Sequence, residues 1–326
     1  MKVLVTGGAS YIGSVVTEIL VGLGHEVDVM DNLKTGFRDA VEPSAHFHRL
    51  DLLDGEGLMK LFASRKFEAV LHLAAEASVE HSISDPGLYF RANVIGGIHL
   101  LDAMIAHDVK RIVFSSTASV FGQPKEMPIT EETPKIPVNT YGESKLQFEK
   151  IMSWYRIAYD LRYVSFRYFN ACGATKAHGE HRRRETHIIP ILFEVARGIR
   201  PKFTIFGTDY PTPDGSCVRD YIHVYDIAMA HVQALERIDD LKERDFNLGN
   251  GEGLTNLQVV QAVKEVTGVD FEVAFGERRA GDPATLIAGS ERARKELNWE
   301  PRYPDLMSMV QTAWDWRKAH PDGYLQ

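Results

Sequence analysis

Tyr141 stands four residues before Lys145 in VNTYGESKLQFEKIM, residues 138–152. Residues four apart share one face of a helix, so a phenol and an ammonium here point into the same space. A free tyrosine, with a pKa of about 10, is a poor base near neutrality. An adjacent cation and an oxidised nicotinamide both favour its phenolate, and the pair then makes a base for alcohol oxidation. The spacing alone also occurs on solvated helix faces. Its weight comes from context: FSSTASVFG, residues 114–122, ends an upstream strand with several hydroxyls, where a third catalytic group is needed.

A second constellation lies at the start of the chain, where TGGASYIG places Gly7 and Gly13 six apart after the apolar run KVLV. In a dinucleotide-binding unit the first glycine permits a tight turn and the last permits close approach of helix to strand. Backbone N–H groups at the helix start then hold a pyrophosphate. Asp31 ends the next strand, EVDVMDN. A carboxylate there accepts hydrogen bonds from both ribose hydroxyls and repels a 2′-phosphate, which favours NAD over NADP. The alternative reading is a packed βαβ unit with no ligand.

These residues need a scaffold, and the chain supplies an alternation of strand-like and helix-like segments. After the first βαβ unit come AHFHRLDLLD, a helix near 57–64, FEAVLHLAA, a helix near 88–107, RIVFSST, the Tyr141 helix and RYVSFRYFN. Their apolar residues run continuously, which implies burial on both faces of a doubly wound parallel sheet. The fold class expected is α/β, a Rossmann-type sheet with a smaller mixed α/β C-terminal substrate lobe. The NAD-binding domain is expected over 1–173 with a return segment near 215–245, and the lobe over 174–214 and 246–326. No internal repeat or low-complexity linker is visible.

The 326 residues are 44% hydrophobic and 25% charged, with a formal net charge of −8, and they include no basic arm. That composition argues against a nucleic-acid partner. No apolar run reaches the roughly 18 residues of a spanning helix and no signal-like segment opens the chain, so a cytoplasmic, non-membrane protein is expected. Cys172 and Cys217, the only two cysteines, neither make a disulfide framework nor supply a zinc set, and both are read as reduced. The mixed-charge stretch EHRRRETH is read as a solvated loop, and no metal is assigned.

Across essentially its whole length the chain resembles the extended short-chain dehydrogenase/reductase superfamily, and within it the UDP-galactose 4-epimerases and their near relatives. The resemblance is carried by TGGASYIG, HLAAEASV, RANVIGG, SSTASVFG, YGESK, RYFNACGA, IFGTDYPTPDGSCVRDYIHV, RRAGDP and ELNW, in the family's order. It implies Thr117 at the position of the catalytic serine or threonine, with Tyr141 as base and Lys145 as ribose anchor. It places Gly7, Tyr11, Ile12, Gly13, Asp31, Asn32, Asp51, Leu52, Leu73, Ala74, Ala75, Asn93, Ser115, Tyr141, Lys145 and Tyr168 around NAD. Thr117, Tyr141, Asn170, His187, Ile188, Thr204, Phe206, Arg219, Arg279 and Asp282 match positions around a UDP-sugar. The residue types suit these roles, since Phe206 offers a face for uracil, and Arg219 and Arg279 offer charge-assisted bonds to a diphosphate. At His187 the family often has asparagine, so the imidazole either bonds the nucleotide or fills space. The activity implied is interconversion of UDP-galactose and UDP-glucose through a 4-keto sugar, with no net redox change.

Two positions depart from the family pattern. Ser10 replaces the usual middle glycine of the phosphate turn and is accommodated only if its φ is negative. Leu286 stands where hexose-restricted members often carry a tyrosine, which leaves space for a 2-acetamido group. A UDP-N-acetylglucosamine or UDP-uronate 4-epimerase, and a noncatalytic NAD-binding protein, are the alternatives. A dehydratase is disfavoured because Ala118 and Ser119, not an acidic pair, follow Thr117. Apolar residues around much of the Tyr141 helix, Leu146, Phe148, Ile151, Trp154 and Tyr155, imply a second interface. The family resemblance suggests a homodimer built on this helix and the 88–107 helix.

Overall fold

The computed structural model describes residues 1–279 and 282–325, so Ala280 and Gly281 of the RRAGDP motif and Gln326 lie outside the described residues. The first part of the chain forms β1 (Lys2–Thr6), α1 (Tyr11–Gly22), β2 (Glu26–Asp31), β3 (His46–Arg49), α2 (Gly55–Arg65) and β4 (Ala69–His72). There follow α3 (Val79–Ser84), α4 (Pro86–Tyr89), a π-helical stretch Phe90–Ile95, α5 (Gly96–Ala106), β5 (Arg111–Ser115), α6 (Thr140–Tyr159), β6 (Arg162–Tyr168) and β7 (Asn170–Cys172). Next are α7 (Ile188–Ala196), β8 (Phe203–Phe206), β9 (Val218–Arg219), β10 (Tyr221–His223), α8 (Val224–Arg237) and β11 (Asp245–Leu248). The chain closes with β12 (Leu254–Thr255), α9 (Asn256–Thr267), β13 (Val273–Gly276), β14 (Thr285–Leu286), α10 (Glu291–Leu297) and α11 (Leu306–Ala319).

Seven strands form one sheet in the order β11-β6-β5-β4-β1-β2-β3, and every pairing is parallel. Helices cover both faces, which is why the strands are apolar without alternation. Val3, Val5, Val29 and Leu71 pack with Val15, Leu20, Ile227 and Leu235 of α1 and α8 on one face. Leu4, Val70, Ile112 and Phe114 pack with Phe62, Leu100, Phe148 and Met152 of α2, α5 and α6 on the other. The direction of strand addition reverses between β1 and β4, and ligands of such sheets bind in the crevice outside the carboxyl ends at that switch point. Gly7, Asp31, Leu73 and Ser115 all lie at those ends.

A second core, including Leu192, Val259, Val263 and Met309, gathers α7, α9 and α11. Three small sheets accompany it, β10-β7, β13-β8 and the three-stranded β12-β9-β14. The helix expected near 88–107 is present as a continuous run of α4, the π-helical stretch, which carries Asn93, and α5. The expected boundary at 246 falls inside β11, because that strand fills the hydrogen-bonding edge of β6. Ala293, Leu297 and Trp299 likewise return to the core beneath α8, and the Trp299 indole N–H donates to the Asp226 carbonyl at 2.9 Å.

Candidate active site

Asn139 sets where α6 begins: its side chain accepts from the Gly142 N–H at 2.8 Å, a standard N-cap bond. The cap fixes the phase of the helix and turns Tyr141 and Lys145 toward the end of β5. The Tyr141 hydroxyl hydrogen-bonds the Thr117 side chain, and Thr117, itself buried, accepts from the Ser119 N–H at 3.2 Å. Lys145 is 2% exposed and donates from Nζ to the Ser115 carbonyl at 2.8 Å, with the Phe114 ring 4.7 Å away. Burial pulls its ammonium down to about 7, opposed by the carboxylate of Glu149.

Burial raises the Tyr141 phenol, and the Thr117 hydroxyl and then the Arg182 charge oppose it. The lysine is turned down onto the Ser115 carbonyl. Tyr168, from β6, bonds the Ser115 hydroxyl, and burial raises its phenol as well.

The turn after β1 fits a dinucleotide. Gly7 has φ +75, and a Cβ there would sit 2.6 Å from the Ala74 nitrogen; a Cβ on Gly13 would meet the Gly7 carbonyl oxygen at 2.1 Å. No other residue type fits either place. The start of α1 has no side-chain cap and no acidic residue in its first turn, leaving N–H groups and the positive end of the helix for an anion. Ser10 has φ −98, and its hydroxyl folds back to donate to the Gly7 carbonyl at 2.6 Å, so the departure from glycine is accommodated. Asp31 is buried, which raises its carboxyl; its oxygens accept from the Ala9 and Leu33 N–H groups at 3.2 and 2.8 Å.

The other residues assigned to NAD have varied local contacts. Asp51 holds Lys34 at 2.9 Å and the Asn32 amide at 3.0 Å. Leu52 and Leu73 are buried, Ile12 and Ala75 half-buried, and the Ala74 N–H donates to the Thr6 hydroxyl at 3.3 Å. Tyr11 donates its hydroxyl to the Gly173 carbonyl at 2.6 Å. The π-helical stretch turns the Asn93 amide onto the Glu76 backbone, at 2.9 and 3.0 Å, and onto Ser144 at 3.0 Å, so it ties the loop after β4 to α6. π-helical turns recur at functional sites for such reasons.

The residues assigned to the nucleotide-sugar form a second cluster. The Arg279 guanidinium lies 5.1 Å from the Phe206 ring centroid and donates to Asp282 at 2.9 Å. Arg219 approaches the same carboxylate at 4.0 Å and donates to the Val218 and Pro283 carbonyls at 2.8 and 2.9 Å. Thr204 is two residues before Phe206 on β8, hence on the same face of that strand. Asn170 is exposed and donates to the Asp220 carbonyl at 2.7 Å. Leu286, paired in parallel with Arg219, packs against the cluster of Val120, Phe121, Leu146 and Phe169. It thereby joins the arginine end of the cleft to the wall beside Thr117 and Lys145.

The reading of EHRRRETH as a solvated loop is corrected. Arg183 and Arg184 are exposed, but Glu180 is buried. It accepts from His187 Nδ1 at 2.6 Å and from Arg182 Nε at 2.9 Å, and these two partners outweigh burial to hold its carboxyl at about 2. Ligand-type atoms of Glu180, Glu185 and His187 lie within 4.8 Å of one another, yet Glu180 already bonds His187 and Arg182. His187 precedes Ile188, the first residue of α7. Sequence reasoning missed Glu180 and Arg182; the signal was an acid and a base two apart before His187, hidden among other charges.

The description "NAD dependent epimerase/dehydratase family" belongs to the family model that matches residues 3–249. A UDP-glucose 4-epimerase of Lacticaseibacillus casei is 47% identical over 327 aligned positions, covering 99% of each chain. The solved structure of UDP-glucose 4-epimerase from Bifidobacterium longum in complex with NAD+ and UDP is 34% identical, with a TM-score of 0.93 over 99% of this chain and 100% of that one. That of the UDP-Glc/GlcNAc 4-epimerase of Campylobacter jejuni is 37% identical, with a TM-score of 0.87 over 98% of this chain and 99% of that one.

Proposed function

The chain belongs to the NAD dependent epimerase/dehydratase family, and from that premise we propose that it works as a UDP-glucose 4-epimerase, interconverting UDP-galactose and UDP-glucose with bound NAD. The observation that carries this reading is the join of Thr117 to Tyr141 and of Lys145 to Ser115 at the carboxyl end of a sheet whose first turn suits a pyrophosphate.

Tyr141 takes the proton of the sugar 4-hydroxyl, relayed through the Thr117 hydroxyl that it already bonds, and later returns it. NAD, when bound, would supply the two-electron chemistry at C4 of the sugar. Gly7, Gly13 and the start of α1 would hold its pyrophosphate, Asp31 a ribose, and Lys145 the other ribose. Phe206 stacks the uracil, and Arg219 and Arg279 take the diphosphate, with Asp282 keeping the two guanidiniums apart. Held only by its UDP end, the 4-keto sugar turns over and is reduced on its opposite face. His187, fixed by Glu180, adds a bond at the nucleotide end. The chain divides between an NAD-binding sheet and a UDP-sugar lobe built on α7, α9 and α11. The protein acts in the cytoplasm, which suits Cys172 and Cys217 as free thiols, and it works as a homodimer.

A second reading rests on Leu286, half-buried on β14 where a bulkier side chain would narrow the cleft: N-acetylated UDP-hexosamines are also turned over. The experiment is chromatographic interconversion of UDP-galactose and UDP-N-acetylgalactosamine by the purified protein, with and without added NAD. UDP-glucose formed without added NAD is the expected result. No epimerised product under either condition removes the primary reading, and no UDP-N-acetylglucosamine at high enzyme concentration removes the second.

A further inference from the structure

Three consecutive residues at the end of β5 each bond a different turn of α6. Thr117 bonds Tyr141, and the Ser115 carbonyl accepts from Lys145 at 2.8 Å. Between them, the Ser116 hydroxyl donates to Glu149 Oε1 at 2.5 Å. Tyr141, Lys145 and Glu149 recur every four residues and so lie along one face of the helix. Two of these contacts belong to the chemistry above; the third is unused by it.

Glu149 is buried, and its carboxylate also takes the Arg167 guanidinium in a fork, at 3.0 Å from Nε and 2.6 Å from Nη2. Arg167, 1% exposed, comes from β6, the neighbour of β5, and also reaches Asp245 of β11 at 2.9 Å. A buried ion pair of this kind is seldom more stabilising than apolar residues of the same volume. What the planar fork supplies is a fixed geometry.

Resting on the 4-epimerase reading, we propose that Glu149, held by Arg167, is a positioning residue for the reaction: through Ser116 it sets the register of Ser115 and Thr117 against α6, and it balances the buried charge of Lys145. The surrounding charged and titratable groups are Tyr141 on α6, Arg167, Tyr163 and Tyr168 on β6, Asp245 on β11, His72 on β4, and Glu131 and Lys135 in the β5–α6 connection. Among these groups and Glu149, only the Glu149 carboxylate is found to raise Lys145 against its burial. Without it Lys145 loses its proton at lower pH, so the alkaline limb of the rate profile moves downward in pH.

The test compares the full-length wild type with Ser116→Ala and Glu149→Gln, reading kcat and KM for UDP-galactose from pH 6 to 10 and UDP affinity by calorimetry. Misplacing reacting groups by about 1 Å costs roughly 100-fold in rate. We therefore expect kcat of Ser116→Ala to fall about 10- to 100-fold, with KM and UDP affinity within about twofold of wild type. Glu149→Gln should add the downward shift of the alkaline limb. If Glu149→Gln does not fold, Ser116→Ala decides alone, since it deletes one hydroxyl and leaves the ion pair. Wild-type kcat in Ser116→Ala overturns the inference, as does an unmoved limb in a folded Glu149→Gln. Absence of turnover by the wild type instead overturns the epimerase reading and this inference with it.

Discussion

Tyr141 and Lys145 do different work although they share a helix face. Lys145 is committed to the Ser115 carbonyl, and the phenol is buried beside Thr117 and within reach of the Arg182 charge. Proton transfer by a positioned side chain is worth about 100- to 10,000-fold. Tyr141→Phe removes the phenolic oxygen bonded to Thr117, so kcat for UDP-galactose should drop at least about 100-fold while UDP affinity stays within about twofold. Stopped-time chromatography and calorimetry read the two quantities, and turnover near the wild-type rate would remove Tyr141 from the proposed role. The pair itself was legible from its spacing and from the hydroxyls of 114–122. The contribution of Arg182 was not, because it is about forty positions away in sequence and enters through a segment that reads as mixed surface charge.

At the scale of elements, the turn from β1 into α1 carries the strictest steric demand. Gly7 combines a left-handed backbone with a Cβ direction aimed at the Ala74 nitrogen, so Gly7→Ala meets a strain of about 1–2 kcal/mol and a clash as well. NAD retention after gel filtration should fall about tenfold or more, and the melting temperature of the NAD-free protein should also drop. Ser10→Gly is the contrasting case. With φ −98 the serine is unstrained, and removing its hydroxyl should leave NAD content unchanged; a clear gain would mean that the side chain crowds the pyrophosphate. The strands and helices around this turn followed from their apolar runs. The π-helical turn within the 88–107 helix did not, because Asn93 there bonds Glu76 and Ser144 across a tertiary contact.

Across the whole molecule, α6 is buried on one side and bare on the other. Leu146, Phe148 and Met152 belong to the interior, whereas Trp154 and Ile157 are 68% and 73% exposed, and Ile95, just before α5, is 44% exposed. Large apolar side chains grouped on one surface mark an interaction site, and a symmetric pair of copies is the simplest way to cover them. The proposed homodimer should appear by light scattering at micromolar concentration. Trp154→Glu should weaken it about 30-fold or more, in line with an aromatic anchor worth about 2 kcal/mol. A monomeric wild type at that concentration would dispose of the dimer. Among the described residues no helix is long and apolar enough to cross a membrane.

The sequence by itself determined the parallel α/β sheet, the glycine turn with Asp31, and the Tyr141–Lys145 pair. Each is a local pattern: apolar continuity, a backbone that only glycine can adopt, or a spacing of one helical turn. Only the tertiary structure decided that β11 closes the edge of the sheet, that Glu180 is buried between His187 and Arg182, and that Glu149 joins Ser116 to Arg167. Those features pair groups that are from two to about eighty positions apart, some in neighbouring strands and one within a charged segment. Their partners are chosen by which backbone edge, oxygen or guanidinium the fold brings within bonding distance and away from water, and residue type and spacing alone do not encode that choice.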